Sequence, residues 1–362
     1  MFGKKDLLTG GRSRVIWIDF CRVYTAFWVV VRHTDRPVDS IAYLGDLFNY
    51  RSLIFFFFLM AGYFTHQPQK GEWLGIRRAL QLLWPYLFWG VVAFYMIMPV
   101  TSAFDFTSVE GIQESIRIIG HSFYRALGIH SWAYYDLYNV PLWFLRVLMV
   151  LSLIAPLLCR IPGKILSVLV LFCFAASDIL CFVDAETAHT VGAGGHAVSG
   201  LPYRLYESVL ALGFFSGGIL LRRFMSSDKL TDLLMEYAWA PVLAAVLLFP
   251  AVHFWHFSPP IMSSALVLVG VLCNMSTGCL AQKYLPRFSQ YVASWGTAAF
   301  LIYVMHFPLL TVYRDVFAGT PLASGAAQSL LAPLVIVVFV LALYRVLKVI
   351  SPWFLRVFAL SK

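Results

Sequence analysis

Apolar runs of about the length needed to cross a bilayer recur from end to end of the chain, separated by short polar segments. Ten are delimited, at residues 16–33, 47–65, 79–99, 140–159, 164–183, 204–221, 238–256, 261–281, 293–313 and 327–349. They predict an all-α, polytopic integral membrane protein of about ten transmembrane helices, forming one membrane domain over 1–362. Four segments fall outside the runs. Residues 1–15 read as a short lead-in and 350–362 as an interfacial tail. In 101–139, read as an outer loop, Ile112, Ile116, Ile119, Phe123 and Leu127 recur at helical spacing, which predicts an amphipathic helix lying on the outer surface of the membrane. Residues 184–203, rich in Gly, Ala and His, read as a flexible loop. No soluble domain, internal repeat or coiled coil is visible.

Composition agrees with this pattern. Of 362 residues, 60% are hydrophobic and only 12% charged, against roughly 25% charged in a soluble domain. The net charge of +9 does not point to nucleic acid, because the basic residues cluster in short loops between apolar runs. With the N-terminus inside, eighteen of the 27 Lys and Arg residues fall on the cytoplasmic side and six outside (Arg32, Arg36, Arg117, Arg125, Arg204 and Arg314). Arg22, Arg51 and Arg146 lie within runs. Both termini are therefore expected in the cytoplasm, and the protein in the inner (plasma) membrane. Lys4, Lys5, Arg12 and Arg14 ahead of the first run resemble the start of a signal peptide, but no small-residue cleavage site follows. The run is read as an uncleaved first span. The six cysteines lie in or beside apolar runs without a zinc-type pair and read as core residues. His189 and His196 lack acidic or cysteine partners at ligand spacing, so no metal is expected.

The first run, IWIDFCRVYTAFWVVVRH, carries the candidate chemistry. An ionisable group inside a bilayer costs at least about 2.5 to 3.5 kcal/mol on insertion scales and marks function more often than scaffold. From Arg22 to His33 is a step of eleven residues. At roughly 100° per residue they share a face to within about 20°, with a rise of about 16 Å between them. Asp19 lies on the same stripe, one turn before Arg22. An imidazole at an aqueous edge is well suited to take a proton from a hydroxyl.

With those of the first run, the intramembrane polar residues sort into an inner layer (Asp19, Arg22, Arg77, Arg78, Gln81) and an outer layer (His33, Arg51, Trp143, Arg146, Asp178, Glu207, Tyr303, His306). Polar groups in both leaflets point to a hydrated path, since lipid-facing positions do not hold them. Two uses fit several of them. Arg51, Asp178 and Glu207 lie near enough to an edge to snorkel or cap helices. Arg77 and Arg78 suit the inner lipid headgroups, as anchors of their helix. Arg146 is deeper and calls for a buried partner such as Asp178 or Glu207. His306, before Phe307-Pro308, suits a carbonyl freed by the proline as well as a substrate.

These residues resemble acyltransferase family 3, the integral membrane O-acyltransferases. The opening span resembles that family's Arg and His separated by ten residues (Arg22, His33). FFFFLMAGYF (55–64) resembles its second span, RRALQLLWPYLFWG (77–90) its basic entry to the third, VPLWFLRVLMVLSLIAPLL (140–158) its Trp-Phe-Leu span, and FLIYVMHFPLL (300–310) its late Tyr-x-x-His-x-Pro span. Ala61 stands where the family often has Ser, and Gln81 where a second Arg is common. The fourth span lacks the Ser-x-x-x-Glu of the larger members with a fused extracytoplasmic domain, and the resemblance implies a stand-alone type.

The resemblance implies transfer of an acyl group, most often acetyl from cytoplasmic acetyl-CoA, to a hydroxyl of a surface polysaccharide or lipid-linked glycan. It makes His33 the base or acyl carrier and Arg22 its inner-side partner. Arg77 and Arg78 become candidates for coenzyme A phosphates, and Arg146 or Tyr303 for the oxyanion. Trp143, His306, Asp19 and Glu207 complete the candidates for substrate contact. A transporter or flippase for a lipid-linked sugar would also use a polar path, but it predicts inverted repeats. Pro85, Pro156, Pro250 and Pro308 show no such symmetry between halves. The acceptor sugar, the acyl chain and the oligomeric state are not legible.

Overall fold

The computed structural model describes residues 15–34, 52–65, 67–68, 71–101, 108–113, 116, 140–190, 205–254, 263–323 and 325–359. Among these, all regular structure is helical. The apolar runs become α1 (Ile16–His33), α2 (Leu53–Tyr63), α3 (Ile76–Thr101), α4 (Trp143–Arg160, entered through a 3-10 turn at Val140–Leu142), α5 (Gly163–Thr190) and α6 (Leu205–Phe224). Then follow α7 (Ser227–Tyr237), α8 (Trp239–Phe254), α9 (Ser263–Tyr284), α10 (Pro286–Ser294), α11 (Ala299–Val316), α12 (Gly325–Ile350) and α13 (Pro352–Phe358).

Six of these helices, α4, α5, α6, α9, α11 and α12, are each long and apolar enough to cross a bilayer. The polar α7 and the apolar α8 meet at a bend of 58°. The first span is interrupted by Asp19, Arg22 and Arg32, so its helix is not carried by hydropathy alone. Apolar side chains on α5 (Val168, Leu171, Phe172) and α12 (Val338, Val349) stand exposed, as the outer surface of a protein in lipid requires.

The helices depart from the apolar runs in four places. The ninth run begins too early: α10 is separate, with Pro286 as its first residue and its end just before Trp295-Gly296, and only then does α11 begin. Residues 227–237 form a polar helix whose N-cap, Ser226, accepts from the Lys229 N–H. The segment read as a loop from 184 is helical as far as Thr190; residues 191–203 lie outside the described set. The tail forms α13 and docks on α3, where Trp89 Nε1 donates to the Phe358 carbonyl at 2.7 Å and Phe88 packs on Phe358. Of the expected surface helix in 101–139, residues 109–113 are helical with Ile112 exposed, and most of the segment falls outside the described residues.

At the centre, α1 packs against α2, α9, α10, α11 and α12. A buried polar ladder fixes it to α9: Trp17 N–H donates to Gln282 Oε1 at 3.0 Å, Cys21 Sγ to the Asn274 carbonyl at 3.2 Å, and Asn274 Nδ2 to Thr25 Oγ1 at 2.7 Å. Trp17 Nε1 also donates to Thr231 of α7 at 3.0 Å. In lipid such interhelical bonds contribute roughly 0.6 to 2 kcal/mol each, because apolar contact alone does not distinguish helix from hydrocarbon. Gly278 makes the close approach possible, since a Cβ there would run into Cys21 Sγ. Two further glycines join α2 to α6: a Cβ on Gly62 would meet the Phe215 carbonyl, and one on Gly218 the Leu59 carbonyl. With both backbones in contact, Phe55, Phe56 and Phe58 of α2 enter the core.

Candidate functional site

The helix α1 carries its polar groups at both ends. Near its start Arg22 Nη1 donates to Asp19 Oδ1 at 2.9 Å. The Asp19 side chain is 8% exposed and that of Arg22 39%, so the carboxylate is held inside while the guanidinium reaches outward. The turn between α10 and α11 closes over this pair, and Gly296 is the residue that fits, because a Cβ would lie 2.8–2.9 Å from the Asp19 side chain.

At the far end, α11 runs alongside α1 and brings a second imidazole to the first. The rings of His33 and His306 stand 5.1 Å apart between centroids, with Phe307 edge-on to His33 at 5.7 Å. His306 is fully buried, while His33 is half-buried. His306 Nδ1 bonds the Tyr303 carbonyl at 2.6 Å. A carbonyl only accepts, so Nδ1 carries the proton and Nε2 is left as the acceptor, without a hydrogen-bond partner among the described residues. Proline had suggested a freed carbonyl for this histidine. Pro308 removes the helical donor of Val304, but the carbonyl that His306 uses is that of Tyr303, one residue earlier.

The start of α4 closes this end. The Tyr303 hydroxyl donates to the Pro141 carbonyl, and its ring packs on Phe144. Trp143 is 9% exposed and packs on Phe58. Arg146, one turn on, is half-buried and within electrostatic range of Tyr86 of α3. Thus His33, His306 and Tyr303 are brought together at one end, and Asp19 with Arg22 at the other.

Other candidates lie elsewhere. Asp178, one partner considered for Arg146, is spent on the N-terminus of α9. Its Oδ1 accepts from Ser263 Oγ at 3.1 Å and the Ser264 N–H at 2.9 Å, and its Oδ2 from Ser264 Oγ at 2.8 Å. A carboxylate at a helix N-terminus satisfies orphan donors and opposes the helix dipole, so the capping use holds for this residue. Glu207 accepts from the Tyr206 hydroxyl at 3.4 Å. Arg77 and Arg78 are exposed at the first turn of α3, where Arg78 Nη1 meets Gln81 Oε1 at 3.5 Å. Arg51 lies outside the described residues.

Several residues with a part in the fold carry no local signal in the sequence. Arg223 donates to three carbonyls at the end of α4, those of Leu158, Cys159 and Ile161, at 2.6–3.3 Å. Tyr63 of the Gly62-Tyr63 pair donates to the Met225 carbonyl at 3.2 Å, under Arg222 at 5.4 Å from its ring. Arg314, counted among the outer loop charges, lies in the last turn of α11 and donates from Nη2 to the His33 carbonyl at 3.1 Å. Asn274 and Gln282 are single amides in an apolar helix with no local partner, and only the folded chain reveals that they grip α1.

No curated protein and no solved structure matches the chain. The family model described as an acyltransferase domain matches residues 15–347. That range takes in both ends of α1, the α11 histidine and the α4 entry. The chain therefore belongs to acyltransferase family 3, the integral membrane acyltransferases.

Proposed function

We propose that this acyltransferase moves an acetyl group from cytoplasmic acetyl-CoA to a hydroxyl of a surface polysaccharide or lipid-linked glycan, with both termini of the chain on the cytoplasmic side of the inner membrane. The observation that carries the reading is the layout of α1, with an outward-reaching cation near its start and a paired imidazole at its end. In this reading coenzyme A binds with its phosphates near Arg77 and Arg78, and the pantetheine arm runs along the Arg22 stripe. An extended arm on the order of 15 to 20 Å matches the rise of about 16 Å from Arg22 to His33.

At the His33 level the acceptor hydroxyl attacks the thioester carbon while the His33 imidazole takes its proton. The tetrahedral intermediate collapses, expelling the coenzyme A thiolate, and the imidazolium returns the proton to sulfur. The products are the O-acetyl ester and free coenzyme A. Tyr303 spends its hydroxyl proton on the Pro141 carbonyl, so Arg146, with five N–H donors on one cation, takes the oxyanion role. Buried His306 backs the His33 ring, and Asp19 holds Arg22 through their ion pair. Trp143 and Glu207 are assigned to the acceptor side.

Binding of the donor is testable without knowing the acceptor. A ligand that binds only the folded state stabilises it by about 2.7 kcal/mol at a hundredfold excess over its dissociation constant. The detergent-solubilised protein is expected to melt several degrees higher in saturating acetyl-CoA than in buffer, and coenzyme A lacking the acetyl group should give a similar shift. Arg77→Ala combined with Arg78→Ala should reduce both shifts. An unchanged melting temperature in acetyl-CoA contradicts the donor assignment.

A further inference from the structure

His33 is the last residue of α1, and helix ends fray. The last carbonyls of a helix have no partner within it and must find one outside. Here Thr34 takes the Val31 carbonyl, through its N–H at 3.2 Å and its hydroxyl at 2.7 Å. The carbonyl of His33 itself is taken by Arg314 Nη2 at 3.1 Å, from a residue 281 positions away. Arg314 also reaches α12. With the Gln328 amide oriented by its hydrogen bonds, its oxygen accepts from Arg314 Nε at 3.0 Å and its nitrogen donates to the Ala323 carbonyl at 2.7 Å. Gln328 is 2% exposed, so this is a buried brace. The intervening loop is pinned by the Tyr313 hydroxyl on the Leu322 carbonyl at 3.1 Å, and turns at Gly319 with φ 77°.

We propose that Arg314, braced by Gln328, is a positioning residue for acyl transfer. It ties the end of α1 to α11 and α12 so that the His33 ring is held against His306. The inference rests on His33 being the base. The fork of a guanidinium suits the task, because one planar group donates to two acceptors on different helices at a fixed spacing. The side chain touches the backbone of His33, so it acts on where the imidazole stands and not on the substrate. Misplacement of a catalytic group by about 1 Å costs on the order of 100-fold in rate.

The test compares purified Arg314→Lys, Gln328→Leu and His33→Ala with the wild type, measuring kcat, KM for acetyl-CoA and melting temperature. Lysine keeps the charge but donates from one nitrogen, so it meets the His33 carbonyl or Gln328 and not both. A kcat lowered roughly 10- to 100-fold in Arg314→Lys, and lowered in the same direction in Gln328→Leu, is expected. KM for acetyl-CoA should stay within about twofold, because the donor does not meet this brace. Wild-type kcat in both variants, with His33→Ala inactive, overturns the positioning role and leaves the base assignment standing. A fall in kcat accompanied by a matching rise in KM and a lower melting temperature also overturns it, since loosened packing alone accounts for that pattern. Activity in His33→Ala removes the base assignment and this inference with it. If Arg314→Lys does not accumulate, Gln328→Leu decides by the same criteria.

Discussion

Replacement of His33 by Ala is expected to abolish acyl transfer while the protein still folds and inserts. Loss of a positioned general base removes typically 10²- to 10⁴-fold in rate, enough to bring an assay to background. The fold should survive because the ring lies half-buried at the end of α1. The link from that end to Arg314 runs through the backbone carbonyl, which alanine keeps. What is lost in stability is the ring contact with His306 and Phe307, about 0.5 to 1.5 kcal/mol for an aromatic pair. In a chain of this size that lowers the melting temperature by only a few degrees. Transfer of radiolabelled acetyl by the purified variant, beside its melting curve, checks both halves of the expectation.

The second large effect falls far from the histidines. Gly62→Ala and Gly218→Val each place a carbon against a carbonyl oxygen of the facing helix, at Phe215 and Leu59 respectively. Neither contact is with a movable side-chain tip, so α2 and α6 must separate. Separation withdraws the α2 phenylalanines from the core and breaks the small-residue packing that membrane helices rely on. The overpacking cost is roughly 1 to 3 kcal/mol at the least, and less folded protein should accumulate in the membrane. Gly217→Ala is the control. Its Cβ would meet only Leu59 Cδ1, at 3.9 Å, so melting temperature and yield should stay at wild-type values. Size-exclusion profiles and melting curves of the three variants distinguish these outcomes.

The legibility of the chain follows from how local each interaction is. The bounds of α1 were readable because hydropathy, the Asp19-Arg22 spacing and the terminal His33 all lie within one stretch. The split between α10 and α11 was not, because Ala, Trp and Thr continue the apolar count across the Trp295-Gly296 turn. Pro286 was the one local mark of a separate helix start. The helix α7 was hidden for the opposite reason. Its polar sequence has too low a hydropathy for a span, and its helical character rests on a Ser226 cap and on Thr231 receiving Trp17 from α1.

Among the site residues, a partner for Asp178 could not be read, since Ser263 and Ser264 lie 85 and 86 positions away. Sequence position alone made it a candidate for Arg146, and the fold gives it to α9. His306 was marked by its proline, but its nearness to His33 depends on α11 lying along α1, which no local pattern encodes. Arg314 was counted as one charge among the outer loops, and its role at the end of α1 emerges only from the packing. The local Asp19–Arg22 pair was thus legible, and the pairs formed between distant helices were not.

In the proposed mechanism α1 lines an acyl path, with the donor entering at the Arg22 end and the acceptor waiting at the His33 end. Reconstitution into sealed liposomes of one orientation tests it directly, with radiolabelled acetyl-CoA supplied on one side and the glycan acceptor on the other. Acetylated acceptor is expected only when acetyl-CoA is on the side bearing the chain termini and the acceptor is opposite. Product formed only with both substrates on the same side would contradict it.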